Sequence, residues 1–157
     1  MQKKLNEVLG ACFQMNSHSD NVAYWLDYNF YVEASAEFHE KYAHEFPVLA
    51  DEISNFMIRM GARPVRYALT ENINDYDNTI NAFEQVYNAI LNFKRIVQEA
   101  LDLAEFNNET DCKIFLENFL FNLKKYVHQA EIWKVKAIQI GDNPTKFDKY
   151  FDDFTII

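Results

Sequence analysis

Apolar side chains recur at helical spacing through four long segments of this chain. In the first segment Leu5, Val8 and Cys12 follow the i, i+3, i+7 pattern of an amphipathic helix. Only three glycines and three prolines occur among the 157 residues, so little interrupts the pattern. It predicts four helices, with bounds of about 3–28, 33–60, 79–106 and 111–140.

Glycine and proline mark where these helices should stop. Gly61 with Pro64 is expected to end the second helix, and Gly141 with Pro144 the fourth, because glycine readily takes the left-handed cap conformation and proline cannot continue a helix. Pro47 lies inside the second helix. Its missing N–H predicts a bend there.

The connection between the second and third helices is long for a bundle, with 14 residues from Val65 to Asn78. A 27-residue helix is about 40 Å long, and 14 extended residues reach about 46 Å. The connection can therefore return along the whole bundle. The sequence predicts an all-α fold, a single domain over residues 1–157. This domain is an antiparallel four-helix bundle with one long crossover between helices 2 and 3, followed by a short C-terminal helix from Lys146 to Phe154.

Composition narrows the function classes. The net charge is −9 and the sequence pI about 4.8, which disfavours DNA binding because DNA-binding proteins hold phosphates with a basic surface. No run of about 18 apolar residues is present, and residues 1–10 lack the apolar core of a signal peptide. We expect a soluble, cytoplasmic protein with no membrane association. Cys12 and Cys112 are expected to be reduced, packed thiols.

Aromatic residues make up 16% of the chain, which is more than the core of a bundle this size needs. One group crowds the first interhelical turn and another lies near the C-terminus: Tyr24, Trp25, Tyr28, Phe30 and Tyr31, then Phe147, Tyr150, Phe151 and Phe154. Exposed aromatic surface of this extent is a liability on a monomer and is enriched at subunit contacts. Both groups are therefore predicted to lie between subunits of a homo-oligomer.

The densest set of potential metal ligands lies on the second helix and comprises Glu37, His39, Glu40, His44 and Glu45, with Asp51 two turns further on. Glu40 and His44 are four residues apart and should share a helix face, where a metal ion could bridge them. The alternative is a solvated face with favourable Glu–His pairs. Weaker candidates are His18, the pair His128 and Glu131, and Met57 with Met60, which at helical spacing are more typical of surface or core positions.

Several segments resemble the ferritin-like superfamily. Lys4-Leu-Asn-Glu7 is similar to the start of some bacterial ferritins, and Trp25-Leu-Asp-Tyr28 with its turn resembles the first connection of ferritins and of the Dps mini-ferritins. Asp51-Glu-Ile53 followed by Gly61-Ala-Arg-Pro64 resembles a Dps pattern. The resemblance covers nearly the whole chain and leaves the ferritin and Dps branches open.

The resemblance carries few metal ligands onto this chain. Ferritin-like bundles typically bear a Glu-x-x-His motif on inner helices, and this sequence has none. In the ferritin register the ligand positions fall on Cys12, Glu45, Val48 and Ile90, which keeps one ligand of four. In the Dps register the histidine positions become Tyr24 and Ala36 and the acidic ones Glu40, Asp51 and Asn55, which keeps two of five.

What the resemblance implies is an iron-binding and storage protein that forms a hollow shell of 12 or 24 subunits and protects against iron and oxidative stress. Because most ligands are missing, ferroxidase activity, the oxidation of Fe(II) by O2 or peroxide, is expected to be weak or relocated. Iron, if held, is expected at Glu40, Glu45 and Asp51, with His44 and Glu37 nearby. The alternative is a ferritin-like structural or interaction protein that has lost iron oxidation.

Overall fold

The computed structural model of the chain describes residues 1–70, 75–141 and 143–157. Within them the chain forms six α-helices: α1 Gln2–Tyr28, α2 Val32–Phe38, α3 Glu45–Arg59, α4 Thr79–Phe106, α5 Thr110–Ile140 and α6 Pro144–Tyr150. A π-helix, His39–Ala43, joins α2 to α3, and a 3-10 turn, Asp152–Phe154, follows α6. Together α2, the π-helix and α3 make the second long helix of a four-helix bundle.

The predicted helix limits are confirmed to within one or two residues, and the residues expected to begin and end helices do so. The side chain of Asn78 accepts a hydrogen bond from the backbone N–H of Asn81 at 2.8 Å and so caps α4. Gly61 has φ of 73°, the left-handed region that favours glycine, just after α3 ends. The polar centre of α1, residues 16–21, does not interrupt that helix.

The second helix is predicted as one uniform helix bent at Pro47, and the structure differs from this. Its irregularity lies one turn earlier, in the π-helix of His39–Ala43. Pro47 cannot donate to the carbonyl of Ala43, and its ring crowds that oxygen. The Nδ2 of Asn16 on α1 donates to the carbonyl of Ala43 instead, at 3.1 Å. The preceding turn widens, and the N–H of His44 bonds to the carbonyl of His39 at 3.2 Å.

The crossover is confirmed as a full-length return. Polar side chains of α1 hold it at successive points: Gln2 accepts from the N–H of Arg63 at 3.0 Å, buried Asn6 accepts from the N–H of Val65 at 2.8 Å, and Gln14 bonds to both backbone groups of Thr70. Beyond residues 71–74, which lie outside the described part, Tyr76 packs edge-on against Trp25. From Gln2 to Trp25 the helix rises about 35 Å. The second long helix and α4 are therefore parallel.

Aromatic rings fill the middle and one end of the bundle. Phe38, Tyr42, Phe83 and Trp133 are all fully buried, and their ring centroids lie 5.1–5.7 Å apart in mostly tilted or edge-to-face pairs. Such pairs add to the free energy gained from burial alone. Ile114 of α5 lies outside this core and is half-exposed.

The prediction that the C-terminal aromatic group lies between subunits is wrong for three of its four members. Phe147, Phe151 and Phe154 are buried within the chain, where they close the end of the bundle over Phe83 and Trp133. The tail is fixed by buried Gln129, which donates to the carbonyl of Phe154 at 3.0 Å and accepts from the N–H of Ile156. Of this group only Tyr150 is exposed.

The aromatic group at the first turn, by contrast, is largely exposed. Tyr24, Tyr28 and Phe30 have 61%, 84% and 87% of their surface accessible. Phe30 also has φ of 67°, which is strained for a bulky side chain. Trp25 and Tyr31 stack on each other and are partly buried. In the part of the chain that the structure describes, no helix is long and apolar enough to cross a membrane.

Candidate functional site

The bundle interior is the first place to test for a metal centre, because ferritin-like proteins carry their iron ligands on inward faces of facing helices. At the four positions of the ferritin register, Cys12 and Ile90 are fully buried, Glu45 is half-buried and Val48 is half-exposed. Cys12 is a poor ligand, since burial raises the pKa of its thiol far above the ordinary value and keeps it protonated.

Glu45 is the one carboxylate retained in that register, and it already has a partner. The hydroxyl of Tyr126 on α5 donates to its Oε2 at 2.8 Å. Burial and this hydrogen bond raise the pKa of Tyr126 above its ordinary value, so the phenol stays protonated. The ring of Tyr126 lies 5.9 Å from that of Phe46 and 6.0 Å from that of Tyr42. Glu45 is thus bound to a tyrosine beside an aromatic core.

These residues do not fit a dinuclear iron centre inside the bundle. Such a centre needs several carboxylates, often with histidine, converging on open coordination positions. Here the four positions hold one carboxylate that is bonded to a phenol, one neutral thiol and two apolar side chains. Throughout residues 1–70, 75–141 and 143–157, no three His, Cys, Asp or Glu side chains are arranged to hold one metal ion.

The potential metal ligands predicted to cluster on the second helix lie in different environments. Glu37 forms an ion pair with Lys41 one turn away, and Glu45 faces Tyr126. Glu40, His44 and Asp51 are exposed on the surface. All five positions of the Dps register, Tyr24, Ala36, Glu40, Asp51 and Asn55, are exposed as well.

The sequence pattern did not predict one group of side chains, formed by Asp20, His39 and His44. His39 Nε2 lies 3.1 Å from Oδ1 of Asp20 on α1, and the ring of His39 lies 4.4 Å from that of His44. A regular helix pattern pairs His44 with Glu40 and leaves His39 on another face. The sequence signal for this pairing is Pro47, which lies four residues after Ala43. A proline there disturbs the turn that contains both histidines.

The remaining candidates lie apart from one another. His18 lines a cavity of about 100 Å³ between α1 and α4, together with Ala11, Met15, Ala89, Phe93 and Ile96 and the amides of Gln14 and Asn92. Burial lowers the pKa of His18, and the lining offers it no second histidine, cysteine or carboxylate. His128 and Glu131 are exposed on α5. Met57 is buried in the core whereas Met60 is exposed, so the two do not form a pair.

Comparison with solved structures identifies the architecture. The chain superposes on an open-pore ferritin from the archaeon Archaeoglobus fulgidus with a TM-score of 0.92 and 19% sequence identity, covering 100% of this chain and 96% of that one. An engineered closed form of the same ferritin gives a TM-score of 0.92 at 19% identity, covering 100% and 95%. A humanized archaeal ferritin gives 0.89 at 17%, covering 100% and 94%.

No protein-family model matches the sequence, and no curated protein sequence matches it. The similarity is therefore one of structure. The chain has the ferritin-like fold over its whole length, as the resemblance of its sequence segments indicated.

Proposed function

We propose that this chain is a subunit of a hollow, closed homo-oligomer that stores iron in the cytoplasm and limits iron and oxidative stress, with weak or relocated ferroxidase activity. The observation that carries the proposal is the match to ferritins over the full length of the chain. The exposed aromatic residues of the first turn support assembly: Phe30 holds an apolar ring in solvent at a strained backbone position. Strained backbone positions of this kind cluster at functional sites.

Iron is proposed to bind at carboxylates of the second long helix. Glu40, Glu45 and Asp51 are the acidic residues that the two family registers retain, with Glu37 and His44 beside them. Glu40 and Asp51 are exposed, so they are accessible to hydrated ions. Carboxylate oxygens accept Fe(II) and Fe(III) and leave positions open for water. Surface carboxylates of this kind could start a mineral without forming a preorganised oxidation centre.

The triple variant Glu40→Gln, Glu45→Gln, Asp51→Asn is expected to load less iron than the wild-type protein, because it removes the proposed oxygen ligands while keeping side-chain size. Iron per subunit is measured after aerobic addition of Fe(II) and removal of unbound metal. The matched control, Asp102→Asn, Glu105→Gln, Glu117→Gln, removes three exposed carboxylates from α4 and α5 and should load normally. Equal loading of both triple variants and the wild type would move the iron site elsewhere.

A second candidate function is that of a ferritin-like structural or interaction protein without iron oxidation. One observation favours it, namely the aromatic, ligand-poor interior around Cys12 and Tyr126. The iron content of the purified protein distinguishes the two functions. Protein purified after growth in iron would carry many iron atoms per subunit in the first case, and only traces in the second.

A further inference from the structure

The π-helix of the second long helix creates a local arrangement that a regular helix would not give. Residues five apart in an α-helix differ by about 140° around the axis and do not face each other. In the π-helix the N–H of His44 bonds to the carbonyl of His39, five residues back, at 3.2 Å. This brings His44 nearly above His39. Single π-turns inside α-helices occur frequently at functional sites.

The spacing of the two imidazoles suits a shared metal ion. Their ring centroids lie 4.4 Å apart with an angle of 58° between the planes. When one ion binds two imidazoles through bonds of about 2.0–2.1 Å, at an angle between a right angle and a tetrahedral one, their centroids lie about 4.5–5 Å apart. The observed separation of 4.4 Å is close to that range. His44 is exposed and the side chain of His39 is 37% accessible, so an ion can reach both.

Asp20 supplies the support that metal-binding histidines usually have. Its Oδ1 lies 3.1 Å from the Nε2 of His39, which fixes the ring against α1 and leaves Nδ1 as the free nitrogen. A carboxylate bound to the outer nitrogen of a ligating histidine orients the ring and makes it a stronger ligand. The ring of Tyr24 lies beside that of His39, with centroids 6.2 Å apart and an angle of 51° between the planes. Asp20 thus acts on the metal only through His39.

We propose that His39 and His44 bind one divalent transition ion of the borderline class that favours imidazole, such as zinc or copper(II), with Asp20 as a positioning residue. Two protein nitrogens hold the ion and water completes its coordination. Asp20 stays hydrogen-bonded to His39 and does not bind the ion, so the site has two protein ligands. It is therefore compatible with the lack of any three-ligand group among the described residues. The site adjoins the carboxylates proposed for iron storage and shares only His44 with that group, and it does not depend on that function.

Titration of the metal-free, full-length protein with zinc chloride near pH 7.5, followed by isothermal calorimetry, tests the proposal. One zinc ion per chain is expected. The variants His39→Asn and His44→Asn should each lower the affinity at least tenfold. The matched control His128→Asn, an exposed histidine on α5, should bind as the wild type does. Asp20→Asn is expected to weaken binding about tenfold through loss of the supporting hydrogen bond.

Copper(II) gives a second readout that a merely structural role of these residues would not produce. Its electron paramagnetic resonance spectrum should show splitting from two nitrogens, and from one nitrogen in His44→Asn. Helical circular dichroism of each variant confirms folding, which we expect because both rings lie at the surface. The proposal is overturned if the wild type binds no zinc at millimolar concentration, or if His39→Asn and His44→Asn bind like His128→Asn. Neither result bears on iron loading, which is measured separately.

Discussion

The variant Trp133→Ala is expected to lose about 3–5 kcal/mol of unfolding free energy, the largest effect of any single substitution considered for this fold. Trp133 is fully buried where α5 meets α2, α4 and α6. Its ring lies 5.1–5.7 Å from those of Tyr42, Phe38, Phe151 and Phe83. Its Nε1 also donates to Oγ1 of Thr155 at 3.0 Å. Alanine leaves a cavity among rings and removes one of the hydrogen bonds that hold the C-terminal tail.

Urea unfolding at fixed protein concentration measures this loss, since stability depends on protein concentration if the chain assembles as proposed. Trp25→Ala is a suitable control: Trp25 is the other tryptophan and only partly buried, so it should cost clearly less. Each variant keeps the other tryptophan as a fluorescent probe. Trp133→Phe keeps most of the packing and is expected to cost about 1–2 kcal/mol, the loss of one hydrogen bond and a little area. Equal stability of Trp133→Ala and Trp25→Ala would contradict the view that Trp133 joins the helices.

Oxidation of Fe(II) by O2 in the presence of this protein is expected to lack a fast phase and to proceed close to the rate in buffer. The reason is the bundle interior. Cys12 is a buried neutral thiol, Glu45 is bonded to Tyr126, and no described group of three ligands could hold an ion. Without converging carboxylates, two irons cannot be held together for reaction with O2.

Stopped-flow absorbance of Fe(III), together with oxygen consumption, measures the rate against buffer. The variant Glu45→Gln should behave as the wild type does, because its carboxylate is not part of a working centre. A rapid burst of oxidation proportional to the number of chains would contradict this prediction. It would show that ligands from two subunits, or from residues beyond the described part, form a centre.

Much of the bundle could be predicted from sequence because its signals are local. Asn78 caps α4 through a side chain that reaches only three residues along, and Gly61 ends α3 through its own backbone conformation. The crossover followed from length alone. Its path along α1 depends on Gln2, Asn6 and Gln14, whose spacing places them on the side of α1 that the crossover follows.

The features that escaped prediction depend on contacts between distant segments. The π-helix at His39–Ala43 is tolerated because Asn16, far earlier in the chain, supplies the hydrogen bond that Pro47 removes. Burial of the C-terminal aromatics depends on Gln129 holding the tail. The pairing of Glu45 with Tyr126 joins α3 to α5. None of these features follows from the periodicity of one helix. The π-helix and the pairing of Glu45 with Tyr126 decide where metal ligands can and cannot lie.

The central claim is that this chain builds a closed shell, and the molar mass of the purified protein tests it most directly. Size-exclusion chromatography with light scattering, at micromolar concentration, is expected to give one species of 12 or 24 subunits. The exposed rings of Tyr24, Tyr28 and Phe30 are then buried at contacts, at roughly 1.5–3 kcal/mol per large apolar side chain. A mass of 18.6 kDa, that of a single chain, would contradict both the assembly and the storage function that depends on it.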